Sequence, residues 1–224
     1  MEKHLITLAS EALCLRGASF IKKPTNGVRM RKKLILVAAP PACGKTYVSE
    51  RLAKELGHAV YLDKDMLAPL IRRAFVLREE EFDMDGEFYI NNLRTAEYQT
   101  ILDIAFSTLR FEDAVILNAP FGKELRDAEF MRTLKEKAHD LDADLILIWI
   151  YVPLEVCHER IVRRNADRDQ KKIANWESYT KKVNYSIPKD LADSNAVDTL
   201  YVFNGTDEKT SEASFSEAIK LLLL

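Results

Sequence analysis

The fold is decided by eight residues, Ala39-Pro40-Pro41-Ala42-Cys43-Gly44-Lys45-Thr46. A short apolar run, Leu34 to Ala38, precedes them and is typical of a buried parallel strand. Apolar side chains at helical spacing follow them at positions 48, 52 and 56. Together these features predict a strand, a turn that ends in Gly-Lys-Thr, and a helix.

A Gly-Lys-Thr turn between a strand and a helix predicts phosphate binding. Backbone N–H groups of the turn and of the helix N-terminus point to one place and favour negative charge there. Lys45 can reach the outer phosphates of a nucleotide, and the Thr46 hydroxyl can occupy a Mg²⁺ ligand position. We therefore expect residues 39–46 to bind ATP; the alternative is a strand–turn–helix that only happens to carry a lysine at its helix start.

Two positions in this turn allow more than one interpretation. The motif normally begins with glycine, and this chain has Ala39. Because alanine tolerates a positive φ less well than glycine, the turn must either avoid that geometry at Ala39 or hold some strain. Cys43 is interpreted as a small residue that fits the turn, with an oxidisable thiol as the alternative.

Composition is that of an ordinary globular protein. The chain has 224 residues, 47% hydrophobic and 30% charged, with a formal net charge of −2, which predicts one domain or a domain with a lid. This charge argues against a nucleic-acid coat or a membrane-surface protein. The three cysteines (Cys14, Cys43 and Cys157) show no metal-site spacing. With no signal peptide or membrane span in the sequence, we expect a cytoplasmic protein with reduced thiols and no membrane partner.

The chain divides at about residue 33. Residues 1–32 predict a short amphipathic helix followed by a basic linker, and residues 33–224 predict the main domain. Since Met30 stands just before the basic residues that lead into the first strand, we hypothesise that translation can start there and that residues 1–29 are dispensable.

Two aspartates follow the second predicted strand, Ala59 to Leu62. Ligands of open α/β sheets bind at the carboxyl ends of the strands, so Asp63 and Asp65 are candidates for the site. A carboxylate there can accept the proton of an attacking hydroxyl, and we favour Asp65 for this role. Aspartate is also a good helix N-cap, so capping is expected to account for one of the two.

Polar side chains also follow the third predicted strand, Ala114 to Leu117. Asn118 stands where a Mg²⁺-linked acid is usual; its amide can hold a bound water or a substrate hydroxyl but supplies no charge. Any Mg²⁺ would then depend on Thr46, on Asp63 or Asp65, and on the phosphates. In the helical pattern from about 87 to 109, four residues either face a substrate or form a solvated face: Asn91, Asn92, Arg94 and Glu97.

The last third of the chain predicts a lid and a base-binding loop. A strand at 144–152 leads into a helix, a short basic turn and another helix, with arginines at 160, 163, 164 and 168. Lid arginines stabilise the charge of a transferring phosphoryl group, so we predict a lid at about 160–185; the alternative is a solvated basic helix. After the fifth strand, 199–203, the loop that starts at Asn204 is expected to hold the nucleotide base.

This order of motifs resembles the nucleoside-monophosphate-kinase-like branch of P-loop kinases. The likeness is greatest to the AAA-type ATP-binding group of zeta toxins, chloramphenicol phosphotransferase and polynucleotide kinases. The resemblance implies a three-layer α/β P-loop NTPase fold, with a five-stranded parallel sheet of order 2-3-1-4-5 and a helical lid. It also implies that Lys45 and Thr46 bind ATP with Mg²⁺, that Asp65 is the general base, and that Arg164 and Arg168 are lid arginines.

The function predicted is that of an ATP-dependent kinase. It would transfer the γ-phosphoryl group to a hydroxyl of an unidentified small molecule. A polynucleotide 5′-hydroxyl kinase ranks second because of the net charge. A nucleotide-binding regulatory ATPase without an acceptor, and a fold that has lost its activity, are further alternatives.

Overall fold

A computed structural model describes residues 31–166 and 169–223 of the chain. Its five strands form one parallel sheet in the order β2-β3-β1-β4-β5, which confirms the predicted order. Right-handed crossovers permit this order. The strands are β1 (Lys32–Ala38), β2 (Ala59–Asp63), β3 (Ala114–Asn118), β4 (Ala143–Tyr151) and β5 (Thr199–Asn204).

Helices follow the strands along the chain. Nine α-helices lie within the described residues: α1 (Lys45–Leu56), α2 (Ala68–Leu77), α3 (Arg94–Leu109), α4 (Ala128–His139), α5 (Leu154–Arg164), α6 (Gln170–Ala174), α7 (Trp176–Lys182), α8 (Lys189–Asp193) and α9 (Glu208–Leu223). Two 3₁₀ turns, Lys64–Leu67 and Glu124–Arg126, and one π turn, Tyr89–Leu93, complete the elements.

The sheet is buried on both faces, which makes three layers. On β1, Leu34 and Leu36 pack into one apolar cluster with α3 and α4, whereas Ile35 and Val37 pack into a second cluster with α1, α5 and α9. Successive side chains of a strand point to opposite faces, so a continuous apolar run is expected in a sheet covered on both sides.

Strand register brings the candidate residues to one edge of the sheet. Asn118 at the end of β3 is paired with Val37 of β1 on one side and with Asp63 of β2 on the other. The turn after β1 and the residues after β2 and β3 therefore meet at the carboxyl edge.

Three helical segments can be compared with the sequence. The segment predicted as helical over 87–109 is helical throughout, with the π turn Tyr89–Leu93 inside it. After β3, α4 begins beyond Asp127, whose side chain accepts a hydrogen bond from the Phe130 N–H at 3.0 Å. The predicted N-terminal helix falls in residues 1–30, which lie outside the described residues. In the described part of the chain, no helix has the length and hydrophobicity needed to cross a membrane.

Candidate active site

The turn after β1 has two residues with left-handed backbone. Ala42 has a φ of 65° and Gly44 a φ of 87°, whereas Ala39 keeps a negative φ. The turn thus avoids the geometry that alanine tolerates poorly at position 39 and adopts it at position 42 instead. A left-handed conformation disfavours an L-residue by roughly 1–2 kcal/mol, so Ala42 is the strained position of the turn.

The Lys45 side chain folds back over this turn. Its Nζ donates a hydrogen bond to the Ala39 carbonyl at 3.1 Å. Burial lowers the pKa of Lys45 below its ordinary value, and the negative charges of Asp65 and Asp63 act in the opposite direction. Within residues 31–166 and 169–223 no carboxylate forms a salt bridge with this ammonium, so a half-buried cation faces the turn without an anion in direct contact.

A cluster of polar groups joins the ends of β1, β2 and β3. The Asn118 Nδ2 donates to Asp63 Oδ2 at 2.7 Å and lies 3.3 Å from Thr46 Oγ1. The Tyr61 hydroxyl donates to the same Asp63 oxygen at 2.8 Å, and burial together with this bond raises the pKa of Tyr61. Asn118 Oδ1 is buried and has no hydrogen-bond partner among the described residues. A single amide therefore bridges the Thr46 hydroxyl and the Asp63 carboxylate.

The two aspartates after β2 have different surroundings. Asp63 Oδ1 accepts a hydrogen bond from the Asp65 N–H at 2.8 Å, so the capping role falls to Asp63. The Asp65 side chain is 65% exposed, and its Oδ1 lies 3.7 Å from the Lys64 Nζ. Asp65 therefore presents an open carboxylate beside the turn, and its role as general base remains a prediction.

Glu97 does not belong to the solvated face that the helical pattern suggested. Its side chain is fully buried, and Oε2 forms a 2.9 Å ion pair with the buried Lys64 Nζ and accepts a hydrogen bond from the Tyr89 hydroxyl. Glu97 Oε1 has no partner among the described residues. The ion pair connects α3 to the 3₁₀ turn that carries Asp65, so Glu97 holds this turn in position.

The other three polar residues of this segment, Arg94, Asn91 and Asn92, have different surroundings. Arg94 forms two hydrogen bonds with the Glu124 carboxylate, at 2.6 and 3.0 Å, and lies over the ring of Tyr98. Asn91 and Asn92 are exposed and line an open pocket of about 470 Å³ between the π turn and residues 75–87. Substrate contact by these residues remains a prediction.

The arginines of the predicted lid have partners of their own. Arg164 donates from Nε and Nη2 to the two oxygens of Asp169, at 2.7 and 2.8 Å. Burial alone would raise the pKa of Asp169, but the hydrogen bonds and charge of Arg164 hold it below the ordinary value. Arg160 donates to the carbonyls of Gly205 and Thr206. Arg168 lies outside the described residues.

The loop after β5 packs against the turn at residues 39–46. The Asn204 Oδ1 accepts hydrogen bonds from the N–H and hydroxyl of Thr206, which folds the loop tightly. A Cβ at Gly205 would lie 3.2 Å from side-chain atoms of Ile150 and Val152 and 3.6 Å from the Cys43 carbonyl, so this loop and the turn are in close approach. The structure thus brings Gly205, the residue after Asn204, near Cys43.

Sequence reasoning missed Tyr61 and Asp169. Tyr61 lies inside an apolar strand run and Asp169 next to a charge-rich turn, so neither has a distinctive local pattern. The partners of Tyr61 include Asn118, which is 57 residues away. Only the fold brings these groups together.

Residues 34–184 match the AAA_33 family, described as an AAA domain. The chain belongs to the AAA_33 family. A comparison with curated proteins finds no match.

Several solved structures similar to this AAA_33 chain are described as kinases. They include a proposed kinase from Chloroflexus aurantiacus (TM-score 0.57, 19% identity, 87% of this chain and 98% of that chain). APS kinase from Mycobacterium tuberculosis, solved with AMPPNP and APS, has a TM-score of 0.50, 21% identity and coverage of 88% and 100%. A fungal RNA kinase has a TM-score of 0.50, 14% identity and coverage of 87% and 84%. These likenesses establish a P-loop kinase-like fold.

Proposed function

We propose that this protein is an ATP-dependent kinase that phosphorylates a hydroxyl of a small molecule. The observation that carries the proposal is the register of β1, β2 and β3, which brings the turn that holds Lys45 to the same edge of the sheet as Asp63 and the 65% exposed carboxylate of Asp65. Phosphoryl transfer requires a cation at the phosphates and a group that orients or deprotonates the acceptor hydroxyl. Lys45 and Asp65 supply both at the carboxyl edge of the sheet.

Residues 39–46 fit a nucleotide triphosphate. The left-handed backbone at Ala42 and Gly44 turns successive N–H groups toward one place, and α1 begins at Lys45. Phosphate oxygens would give the Lys45 ammonium the anionic partner that it lacks. The loop at Asn204 is near enough to the turn to contact the remainder of the nucleotide.

The oxygen donors near Thr46 fit a Mg²⁺ ion. The Thr46 hydroxyl and the Asp63 carboxylate both contact the Asn118 amide, and Asn118 Oδ1 is a buried oxygen without a partner. Magnesium favours hard oxygen ligands and keeps several of its waters, so Thr46 and Asp63 would hold it and Asn118 would orient Asp63. Bound Mg²⁺ would neutralise charge on the phosphate oxygens.

Asp65, Lys45 and the lid arginines have separate roles in the proposed reaction. Asp65 orients the acceptor hydroxyl and takes its proton, and Lys45 stabilises charge on the phosphate oxygens. Arg164 adds positive charge near Lys45, as its effect on the pKa of Lys45 indicates. We assign the same role to Arg168.

The charge pattern around the site favours a small-molecule acceptor. Two cations that border it are already paired with carboxylates that are mostly or fully buried: Lys64 with Glu97, and Arg94 with Glu124. A polynucleotide needs several cations that are available to its phosphates. These two pairs therefore offer little to such an acceptor.

A polynucleotide 5′-hydroxyl kinase remains the second candidate because Lys123 and Arg126 are exposed just after β3. They would form a phosphate-binding track, and transfer to a 5′-hydroxyl oligonucleotide would then fall steeply with added salt. Phosphorylation of a small neutral acceptor would respond weakly to salt.

A transfer screen with radiolabelled ATP tests the proposal. Nucleosides, sugars, antibiotics and 5′-hydroxyl oligonucleotides serve as acceptors, and the protein is compared with its Asp65→Asn, Lys45→Ala and Asp140→Asn variants. Asp140 is an exposed aspartate beyond α4, at the opposite edge of the sheet, and is the matched control.

We expect Asp65→Asn to keep its affinity for ATP while transfer falls roughly 10²-fold or more. Lys45→Ala should lose ATP binding, and Asp140→Asn should behave as the unmodified protein. Steady hydrolysis of ATP with no labelled acceptor would identify a regulatory ATPase instead. Full transfer by Asp65→Asn would remove Asp65 as the base.

A further inference from the structure

Two thiols from distant parts of the chain meet beside the phosphate-binding turn. The Sγ atoms of Cys43, inside the turn, and Cys157, on α5, are 3.3 Å apart. Both side chains are buried, at 2% and 0% exposure. Cys43 Sγ also lies 3.8 Å from the Pro41 carbonyl, and Cys157 Sγ lies 3.8 Å from the Val152 carbonyl. The sulfurs are thus each other's nearest polar contact.

We propose that Cys43 and Cys157 are an oxidisable dithiol, and that their disulfide pulls the phosphate-binding turn toward α5 and weakens nucleotide binding. The second half of this proposal rests on the proposed nucleotide site, whereas disulfide formation does not. The oxidant is a peroxide. With hydrogen peroxide, the two thiols lose two protons and two electrons, the S–S bond forms, the O–O bond breaks, and two waters are released.

Closure of the bond requires movement of the turn. A disulfide has an S–S length of about 2.05 Å, so the sulfurs must approach by about 1.2 Å from their 3.3 Å separation. Both side chains lie in the same apolar cluster, but α5 is also held by the hydrogen bond of Arg160 to the loop after β5. The turn side is less constrained, since Gly44 is exposed. The turn therefore moves.

Movement at Cys43 disturbs the groups that would bind phosphate. Cys43 stands between Ala42 and Gly44, the two residues whose left-handed backbone shapes the turn. Lys45 follows directly and is bonded back to Ala39. Displacement by about 1 Å is enough to change the function of a preorganised site by large factors, up to about 10²-fold in rate. We expect nucleotide affinity to fall about tenfold or more.

The surroundings also favour reaction between the two sulfurs. The hydrogen bond from the Cys43 thiol lowers the pKa of Cys157, burial acts against this, and the positive charges of Arg160 and Lys45 add to the lowering. The thiolate is the nucleophile in disulfide formation. The hydrogen bond to Cys157 and burial raise the pKa of the Cys43 thiol, so Cys157 is the sulfur that reacts first. The oxidant reaches the pair from the exposed turn, and the Cys157 thiolate attacks it, becomes a sulfenic acid and releases hydroxide. The Cys43 thiol then gives up its proton, its sulfur bonds to Cys157, and the sulfenic oxygen leaves as water. A bound nucleotide covers this route and slows the oxidation.

The experiment uses the full chain with Cys14→Ala, which leaves only the two thiols of interest. The protein is treated with hydrogen peroxide, with and without ATP and Mg²⁺, and remaining thiols are alkylated. Intact mass and peptide mapping then identify the product. The Cys157→Ser variant in the same background is the control, because it keeps Cys43 but can form no internal disulfide. ATP affinity is measured by calorimetry before oxidation, after oxidation and after reduction.

We expect the Cys14→Ala protein to lose two hydrogen atoms and to yield one cross-linked peptide that contains positions 43 and 157. Its ATP affinity should fall at least about tenfold and recover on reduction, and ATP should slow the reaction. Two alkylatable thiols after prolonged oxidation would overturn the proposal. A disulfide with unchanged ATP affinity would overturn its regulatory half. If the reduced protein binds no ATP, the proposed function fails, while the mass measurement still decides whether the dithiol exists.

Discussion

Replacement of Asn118 by aspartate tests the polar cluster at the carboxyl edge of the sheet. The amide nitrogen of Asn118 lies 2.7 Å from Asp63 Oδ2, so the substitution puts a second carboxylate against the first. Two unit charges about 4 Å apart repel by about 4 kcal/mol at an effective dielectric constant of about 20. The substitution also removes a hydrogen bond to a charged group, which contributes about 1.5–3 kcal/mol.

Proton uptake limits this destabilisation and gives it a pH dependence. A carboxyl group that must be protonated in the folded state costs about 1.4 kcal/mol for each pH unit above its unfolded pKa of about 3.9, or about 4 kcal/mol at pH 7. The folded variant then binds one more proton than its unfolded state, so its stability falls as pH rises. Below about pH 4 the protonated group donates to Asp63, and the destabilisation disappears.

Urea unfolding of the protein and its variants between about pH 4 and 8 checks this expectation. Asn118→Asp should lose stability relative to the unmodified protein by up to about 1.4 kcal/mol per pH unit, and millimolar Mg²⁺ should restore part of the loss. Asn118→Ala is the matched control: it loses the same hydrogen bonds without a charge, so its loss should not vary with pH.

The reciprocal exchange is the sharper test. Asn118→Asp combined with Asp63→Asn restores one amide and one carboxylate, and asparagine caps a helical turn as well as aspartate does. The double variant should regain all but about 1 kcal/mol of the stability lost by Asn118→Asp. A destabilisation that does not depend on pH, or a double variant less stable than the single one, would refute the interaction between these two side chains.

Two further predictions follow from the turn and from the segment that follows α5. Asp169→Asn should lower the free energy of unfolding by about 1–2 kcal/mol at pH 7, because Arg164 loses a charged partner but is partly exposed. The pKa of Asp169 is depressed in the folded protein, so its contribution is present above about pH 3.9 and is lost as pH falls further; the difference between the two proteins should vanish there in urea titrations. Ala42→Gly should raise stability by up to about 1 kcal/mol, because glycine relieves a φ of 65°, whereas Ala39→Gly should lower it by about 0.5–1 kcal/mol. Equal effects of the two glycine substitutions, measured by urea unfolding, would contradict the φ angles of Ala39 and Ala42.

The fold could be predicted largely from local patterns. Buried parallel strands are short continuous apolar runs, and each of the five runs found in the sequence is a strand of the sheet. The order of the strands was implied by the resemblance to P-loop kinases, since the sequence of one strand does not indicate which strands lie beside it. Local details of helices are harder to predict, because the cap at Asp127 and the π turn before Arg94 depend on a few hydrogen bonds.

The site could be predicted only where residues that are adjacent in the sequence form a recognisable motif. The turn at 39–46 has a recognisable sequence motif. No motif indicates the different roles of Asp63 and Asp65. Both are aspartates after a strand, and what separates them is one hydrogen bond from the Asp65 N–H to Asp63. The approach of Cys157 to the turn has no sequence signal, since the two cysteines are 114 residues apart.

Glu97 shows why the rest of the site depends on three-dimensional packing. A glutamate that has polar neighbours on a helix is normally solvated. Here Glu97 is buried because it forms an ion pair with Lys64, which is buried as well. Neither residue is stable in the core without the other, since an unpaired buried charge costs roughly 3–5 kcal/mol. Lys64 lies 2.9 Å from Glu97 but 3.7 Å from Asp65, so its charge is balanced mainly by Glu97. Asp65 therefore keeps an exposed carboxylate, and the buried pair fixes the turn that carries it.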